Sequence, residues 1–290
     1  MNSRGESIHC TTLNILEQTV CIWLGSLLAG LLGALTGLGG GIVITPLLSL
    51  AFGVDIRYAV GATLVSVIAT SSGAAAAYVK EGFTNIRIGM FLEMATTVGA
   101  VVGASLAVRI PTHAIAVIFG LVLLYSAYVS AHPPLESIAA ERPDRLATRL
   151  RMNSTYPSPE GPKRYQVQSV PTGFSMMFGA GVLSGLLGIG SGAIKVIAMD
   201  RAMHIPFKVS TTTSNFMIGV TAAASAGVYL QRGYIDPGLA MPVVLGVLQG
   251  SLVGARILPK AKTRVLRLLF GVVVAVLAIE MIYHGLSGRL

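Results

Sequence analysis

Charge is what this sequence has least of. Lys, Arg, Asp and Glu make up 11% of the 290 residues, whereas a soluble globular domain is about one-quarter charged. With 53% of residues hydrophobic, that shortage excludes water as the main solvent of the chain. Cysteine is nearly as scarce. Cys10 and Cys21 lie near the N-terminus without CxxC spacing or histidine companions, so neither a disulfide framework nor a thiolate metal site is expected. The histidines are scattered, and no Ser/His/Asp set can be assembled, so no enzyme, cofactor or metal centre is expected. A Walker-type phosphate loop is missing, which argues against ATP hydrolysis within the chain. The net charge of +9 does not imply nucleic acid, because the basic residues form no arginine-rich arm. They fall between apolar runs, where charge sets membrane topology. Met1 to Leu13 leads into an apolar stretch without a convincing small-residue cleavage site, so a removed signal peptide is not expected.

What the chain has in plenty is apolar length. Met90 to Val108 carries only Glu93 as a charge, and Val265 to Ile279 only Arg267; such runs approach or exceed the roughly 18 residues that span a bilayer. The expected class is an all-α, polytopic transmembrane bundle with the lipid bilayer as its solvent.

The chain also repeats itself. Gly30-Leu-Leu-Gly-Ala-Leu-Thr-Gly-Leu-Gly-Gly-Gly41 matches Gly181-Val-Leu-Ser-Gly-Leu-Leu-Gly-Ile-Gly-Ser-Gly192. Tyr78-Val-Lys-Glu-Gly-Phe83 matches Tyr229-Leu-Gln-Arg-Gly-Tyr234, and Gly99-Ala-Val-Val-Gly-Ala104 matches Gly250-Ser-Leu-Val-Gly-Ala255. Order and spacing are kept, which divides the chain into a first transmembrane repeat (14–130), a polar cytoplasmic linker (131–170) and a second repeat (171–290). Ala131 to Pro171 carries most of the prolines and few apolar residues, and this connection is expected to be solvated and mobile.

Each half reads as a short broken helix pair followed by three full spans. These are Thr19 to Thr36, Ile42 to Phe52, Tyr58 to Val79, Ile88 to Val108 and Thr112 to Ser130, then Thr172 to Leu187, Ala193 to Met199, Val209 to Leu230, Pro237 to Ile257 and Arg264 to Tyr283. With the basic linker inside, Lys80, Arg87, Lys260, Lys262 and Arg264 fall on the same side, and Arg57, Arg109 and Arg232 fall outside. Pro171 to Lys208 must then be a hairpin turning at Gly188 to Gly192. Five segments per half is odd, so the halves run in opposite directions, an arrangement used by carriers that alternate access to a shared site.

The candidate substrate site follows from the breaks. Glycine clusters at Gly37 to Gly41, with Gly39, Gly40 and Gly41, and at Gly188 to Gly192, with Gly190, Ser191 and Gly192, interrupt apolar helices in matching places. Broken backbone at membrane depth must be buried or line a cavity, and a restarting helix favours an anion at its positive end. Lys195 follows among Ile194, Val196 and Ile197, while its counterpart in the first half is Ile44. A charge so placed is read as functional. Thr63 and Ser66 in one span, and Thr211, Thr212, Ser214 and Asn215 in the other, are candidate donors to oxyanion oxygens. For each hydroxyl alone, a bond to its own helix is the more ordinary role. Glu93 is a candidate for proton coupling or for a structural pair.

At these residues the chain resembles the sulfite exporter TauE/SafE family, also described as sulfonate uptake permeases. The resemblance rests on Gly37 to Gly41 with Pro46 after it, on Ala59-Val-Gly-Ala-Thr-Leu64, on Tyr78 to Gly82, and on the second-half counterparts from Gly188 through Gly254. It implies a multi-pass inner-membrane carrier of sulfite, sulfonates or related organic anions, with a small anion as partner. Ser191 replaces the middle glycine of the usual triplet, and Lys195 follows it, which leaves the particular anion open. The oligomeric state is not indicated. Competing readings are an intramembrane enzyme, for which no convergent nucleophile, base or ligand set is present, and a non-transporting membrane subunit whose breaks are packing devices.

Overall fold

The computed structural model describes residues 15–36, 41–80, 84–131, 144–157, 161–257 and 263–288. The described chain is helical almost throughout. α1 (Ile15–Thr36) is followed by the short α2 (Gly41–Pro46), which runs into a π-helical turn over Leu47–Ala51, and then by α3 (Ile56–Lys80), α4 (Ile86–Ala107) and α5 (Thr112–Ala131). After the linker the same series returns: α7 (Val170–Leu187), α8 (Gly192–Ile197) with a π-helical turn over Ala198–Ala202, α9 (Phe207–Gln231), α10 (Pro237–Ile257) and α11 (Thr263–Leu286).

The segments expected from hydropathy and glycine spacing are therefore present, each within a few residues of its expected ends. Three helices among the described residues are long and apolar enough to cross a membrane by length and composition, over Leu16–Gly33, Ile86–Ala107 and Val170–Leu187. Shorter apolar helical stretches accompany them, including Ile56–Ser72, Thr112–Tyr128 and Pro237–Val253. Large apolar side chains face outward along these helices, such as Met90, Met94 and Val98 on successive turns of α4. Water would oppose such a surface, and lipid does not.

Helices of one half pack on helices of the other. α1 lies on α10, α4 on α7 and on α9, α3 on α9 and α10, and α5 on α11. Exchanging the equivalent helices (α1 with α7, α3 with α9, α4 with α10, α5 with α11) maps this set of pairs onto itself. Glycine lets the closest pairs form. In the α4–α7 seam, a side chain added at Gly99 or Gly103 would run into the backbone of Phe178 or Val182, and one at Gly185 into that of Ala100. In the α1–α10 seam, Gly30 meets Val247, while Gly246 and Gly250 meet the Trp23 and Leu27 carbonyls. Lipid offers no hydrophobic drive for helix association, so such backbone contact supplies it through dispersion.

The linker differs from expectation over its described part. Arg145–Arg149 form a short helix, α6, and β1 (Ser154–Tyr156) pairs antiparallel with β2 (Lys163–Tyr165). Asp144 ties this module down, its Oδ1 accepting from the Leu146 amide (2.9 Å) and its Oδ2 from the Val170 amide at the start of α7 (3.0 Å). Asn85, which caps α4 by accepting from the Ile88 amide, donates through Nδ2 to the Met152 carbonyl and to the Tyr165 hydroxyl (2.7 Å). Burial raises the Tyr165 phenol above its ordinary pKa, against the lowering effect of its bonds with Asn85 and Ser154, so the ring enters the contact neutral. Ala147, Met152 and Val167 are buried against Ile88, Met203 and Val209. The expected mobile connection is here a docked cap, because a few spaced apolar side chains bury a small second core.

This cap defines one end of the bundle. There the Gln168 amide donates to the Met203 carbonyl (3.1 Å), closing the α7–α8 hairpin where it begins and ends. At another set of turns Arg57 donates through Nη2 to the Ile110 carbonyl (2.9 Å), and its guanidinium lies over the Tyr234 ring.

The glycine seam yields a direct test. Gly103→Val should destabilise the protein by about 1–3 kcal/mol or prevent its folding, as overpacking does. Gly179→Ala, whose added carbon meets open space, should be neutral. Thermal unfolding in detergent decides, and equal melting points for the two variants would contradict the seam.

Candidate functional site

The second break is built from left-handed backbone. Gly188, Gly190 and Ser191 have φ of +69°, +67° and +46°, a conformation in which Ser is strained and Gly is not. α7 ends by donating the Gly188 amide to the Ser184 carbonyl (2.8 Å), and α8 restarts with the Lys195 amide donating to the Ser191 carbonyl (3.0 Å). The start of α2 approaches the second break: around Gly41 stand Val67, Thr63 and the Gly188 carbonyl. Gly39 and Gly40 lie outside the described residues.

Hydroxyls of the neighbouring long helices brace the restarted segments. Thr63 donates to the Ala59 carbonyl (2.8 Å), and its oxygen accepts from the Thr45 hydroxyl of α2 (2.9 Å). At the matching position in α9, Ser214 donates to the Gly192 carbonyl of α8 (3.2 Å). Other candidate hydroxyls turn back to their own helices. Ser66 donates to the Thr63 carbonyl, Thr211 to Phe207 and Thr212 to Lys208. Asn215 is half-buried. The buried Ser191 hydroxyl has no hydrogen-bond partner among the described residues.

Lys195 is fully buried, with 0% of its surface exposed. Its ammonium donates to the Thr221 hydroxyl (2.6 Å), and that hydroxyl donates to Glu93 Oε1 (2.6 Å). Thr97 also donates to Oε1 (3.2 Å). The ammonium stands 4.0 Å from Glu93 Oε2, and Oε2 has no hydrogen-bond partner among the described residues. A charged chain of three residues thus joins α4 of the first half to α8 and α9 of the second. Thr96 stands beside it, its hydroxyl 3.5 Å from that of Thr221. The structure brings together two residues read separately in the sequence, Lys195 and Glu93.

Thr221 was not among the residues singled out, although a signal was present. It lies about two helical turns after Ser214, on the same face of α9, and it is the counterpart of Thr70 in the repeat. One residue before it, on the α3–α9 seam, a cleft of about 370 Å³ is lined by Ser71, Ser72, Phe216, Gly219, Val220 and Ala223. Among the described residues no group of three metal-ligating side chains gathers.

A buried ion pair costs about as much in desolvation as its attraction returns, whereas removing one partner strands the other and costs about 3–5 kcal/mol. Lys195→Met should therefore lower the melting temperature clearly, and Lys195→Met combined with Glu93→Gln should recover most of the loss. A double variant no more stable than Lys195→Met alone would show that the two charges are not energetically coupled.

Comparison with known proteins follows from this architecture. The family model described as "Sulfite exporter TauE/SafE" matches residues 22–281. The probable membrane transporter protein YunE of Bacillus subtilis (strain 168) is 28% identical over 267 residues, covering 90% of this chain and 96% of the relative. A probable membrane transporter protein of Xylella fastidiosa (strain 9a5c) is 25% identical over 94% of this chain and 98% of its own length. One from the archaeon Methanocaldococcus jannaschii is 26% identical over 88% and 92%. No solved structure matches significantly. With all ten helical segments of the two halves inside or at the edges of the matched span, the chain belongs to the sulfite exporter TauE/SafE family of membrane transporters.

Proposed function

We propose that this protein is a secondary carrier that moves a small oxyanion, such as sulfite or an organosulfonate, across the cell inner membrane by alternating access. The observation that carries the reading is the fully buried Lys195, placed beside the helix break and tied through Thr221 to Glu93 on the opposite half. An ammonium inside a membrane protein is costly, so a resident or visiting anion must balance it. Glu93 balances it in this conformation, and a substrate oxyanion does so when bound. The hydroxyls of Thr221, Thr96 and Thr97 lie around the charges, a chemistry suited to oxygen acceptors on a small anion.

The halves are read as inverted repeats with the linker in the cytoplasm. The reciprocal packing of equivalent helices supports this, as does the gathering of the α3–α4 turn, the linker and the start of α9 at one end through Asn85 and Thr213.

Two experiments test this reading. In lipid vesicles, the full chain should exchange labelled sulfite faster than protein-free vesicles. Lys195→Met should weaken anion binding by roughly ten- to several-hundred-fold, given an interaction of a few kcal/mol at low effective dielectric. Lys195→Arg should retain part of it, limited by the larger fork. Wild-type affinity in both variants would move the site elsewhere. For topology, cysteines at Ser154 and Thr263 in a chain lacking Cys10 and Cys21 should be protected from impermeant reagents in intact cells, while one at Arg232 should label. External labelling at Thr263 with protection at Ser154 would refute inversion.

A further inference from the structure

We infer that Glu93 takes up a proton when an anion replaces it at Lys195, so that anion and proton cross the membrane together. The inference deepens the carrier reading above and rests on it. Glu93 is 6% exposed and Lys195 0%, yet the two do not meet directly. Their nearest approach is 4.0 Å, and the Thr221 oxygen stands 2.6 Å from each. Among the described residues, Oε2, the carboxylate oxygen facing the ammonium, has no hydrogen-bond partner. A buried acceptor left open in this way is costly, and it is the atom on which a proton would sit.

The pair is also isolated from other charge. α7, which packs on α4, contains no ionisable side chain over Val170–Leu187. α9 carries only Lys208 and Tyr229, near its two ends. Tyr229 is occupied with the Gly185 and Leu186 carbonyls. On α4 itself Arg87 is exposed and donates to the Arg151 carbonyl. Asp200 and Arg201 lie on the turn after α8, and His113, Tyr125 and Tyr128 of α5 are exposed. Among the described residues, the charge that answers Lys195 is Glu93.

Charge balance then sets the coupling. The resting pair sums to zero. A monoanion arriving at Lys195 beside an ionised Glu93 would leave one uncompensated negative charge in a water-poor site. One proton on Oε2 restores neutrality: the carboxylate becomes a carboxylic acid, the ammonium keeps its protons, and no other bond changes. The Thr221 hydroxyl has a second acceptor ready, the Met217 carbonyl at 3.0 Å, so it can turn away from the neutral acid while still accepting from Lys195. The coupling is one proton per monoanion and carries no net charge.

The test uses the full chain in lipid vesicles, labelled sulfite as the probe at mildly acidic pH where bisulfite predominates, and protein-free vesicles as the blank. An inward gradient of one pH unit should drive protein-dependent net uptake toward roughly tenfold accumulation, the limit for one-to-one electroneutral coupling. A potassium diffusion potential should leave that uptake unaltered. Glu93→Gln should show measurable sulfite-for-sulfite exchange but no response to the proton gradient, with sulfite's own acid–base chemistry cancelling in the comparison with wild type. Wild-type uptake indifferent to the gradient, or a Glu93→Gln protein that still follows it, overturns the inference. So does a folded Glu93→Gln protein that has lost exchange together with net uptake, since Glu93 is then a positioning residue. If Glu93→Gln fails to fold, Glu93→Asp decides: a shifted pH dependence of uptake supports Glu93 as the proton site, and an unshifted one overturns it. A wild-type protein that exchanges no sulfite removes the carrier reading for this anion, and the inference with it; exchange without gradient response removes the inference alone.

Discussion

At membrane depth no water is available to pair a backbone amide or a side-chain charge, so each must be answered from within the protein. That demand shapes this chain at every level. It makes helices of nearly the whole described sequence, because a helix satisfies its own amides. Where α7 stops, the Gly188 carbonyl comes close to Gly41 at the start of α2, beside Val67 and Thr63. Hydroxyls on α3 and α9 then serve the restarted segments, Thr63 through Thr45 and Ser214 through the Gly192 carbonyl. The same demand draws Lys195 and Glu93 together from separate halves.

The likeness of the two halves and their difference have separate consequences. Likeness gives the reciprocal glycine seams, in which α1 lies on α10 as α7 lies on α4. Difference lies in the charges: Lys195 stands where the first half has Ile44, and Glu93 where the second has Val244. A single charged chain therefore crosses from one half to the other, instead of two copies facing themselves. Any displacement of α4 against α8 and α9 alters the distances along that chain, so its electrostatics report the relative position of the halves.

The helices were legible because their signal is local. Apolar runs of bilayer length and glycines repeated between the halves need no knowledge of the fold, and the repeated Gly99, Gly103 and Gly250 lie in the close seams. The linker was less legible. Ala147, Met152 and Val167 are too few and too irregularly spaced to announce a core, and only docking on Ile88 and Met203 makes them one. Within the site, Lys195 and Glu93 stood out as lone charges in apolar surroundings. Their partnership did not, since nothing local relates positions so far apart in sequence. Hydroxyl clustering pointed to α3 and α9 but not to the hydroxyl that bridges the two charges: Thr211 and Thr212 turn to their own helix, while Thr221, outside the dense cluster, touches both.

The placement of Thr221 bears on what the charged chain is for. An ion pair kept only to hold helices together is best made in direct contact, with every remaining donor and acceptor filled. This pair is separated by a hydroxyl and leaves Oε2 unfilled. Replacement by apolar residues of similar volume is commonly neutral or stabilising for such buried pairs, so stability alone does not account for it. A hydroxyl both accepts and donates, and it rotates at little cost. Set between an ammonium and a carboxylate, Thr221 keeps each charge answered while leaving each open to a different partner, which is what the proposed carriage of a small anion would require of it.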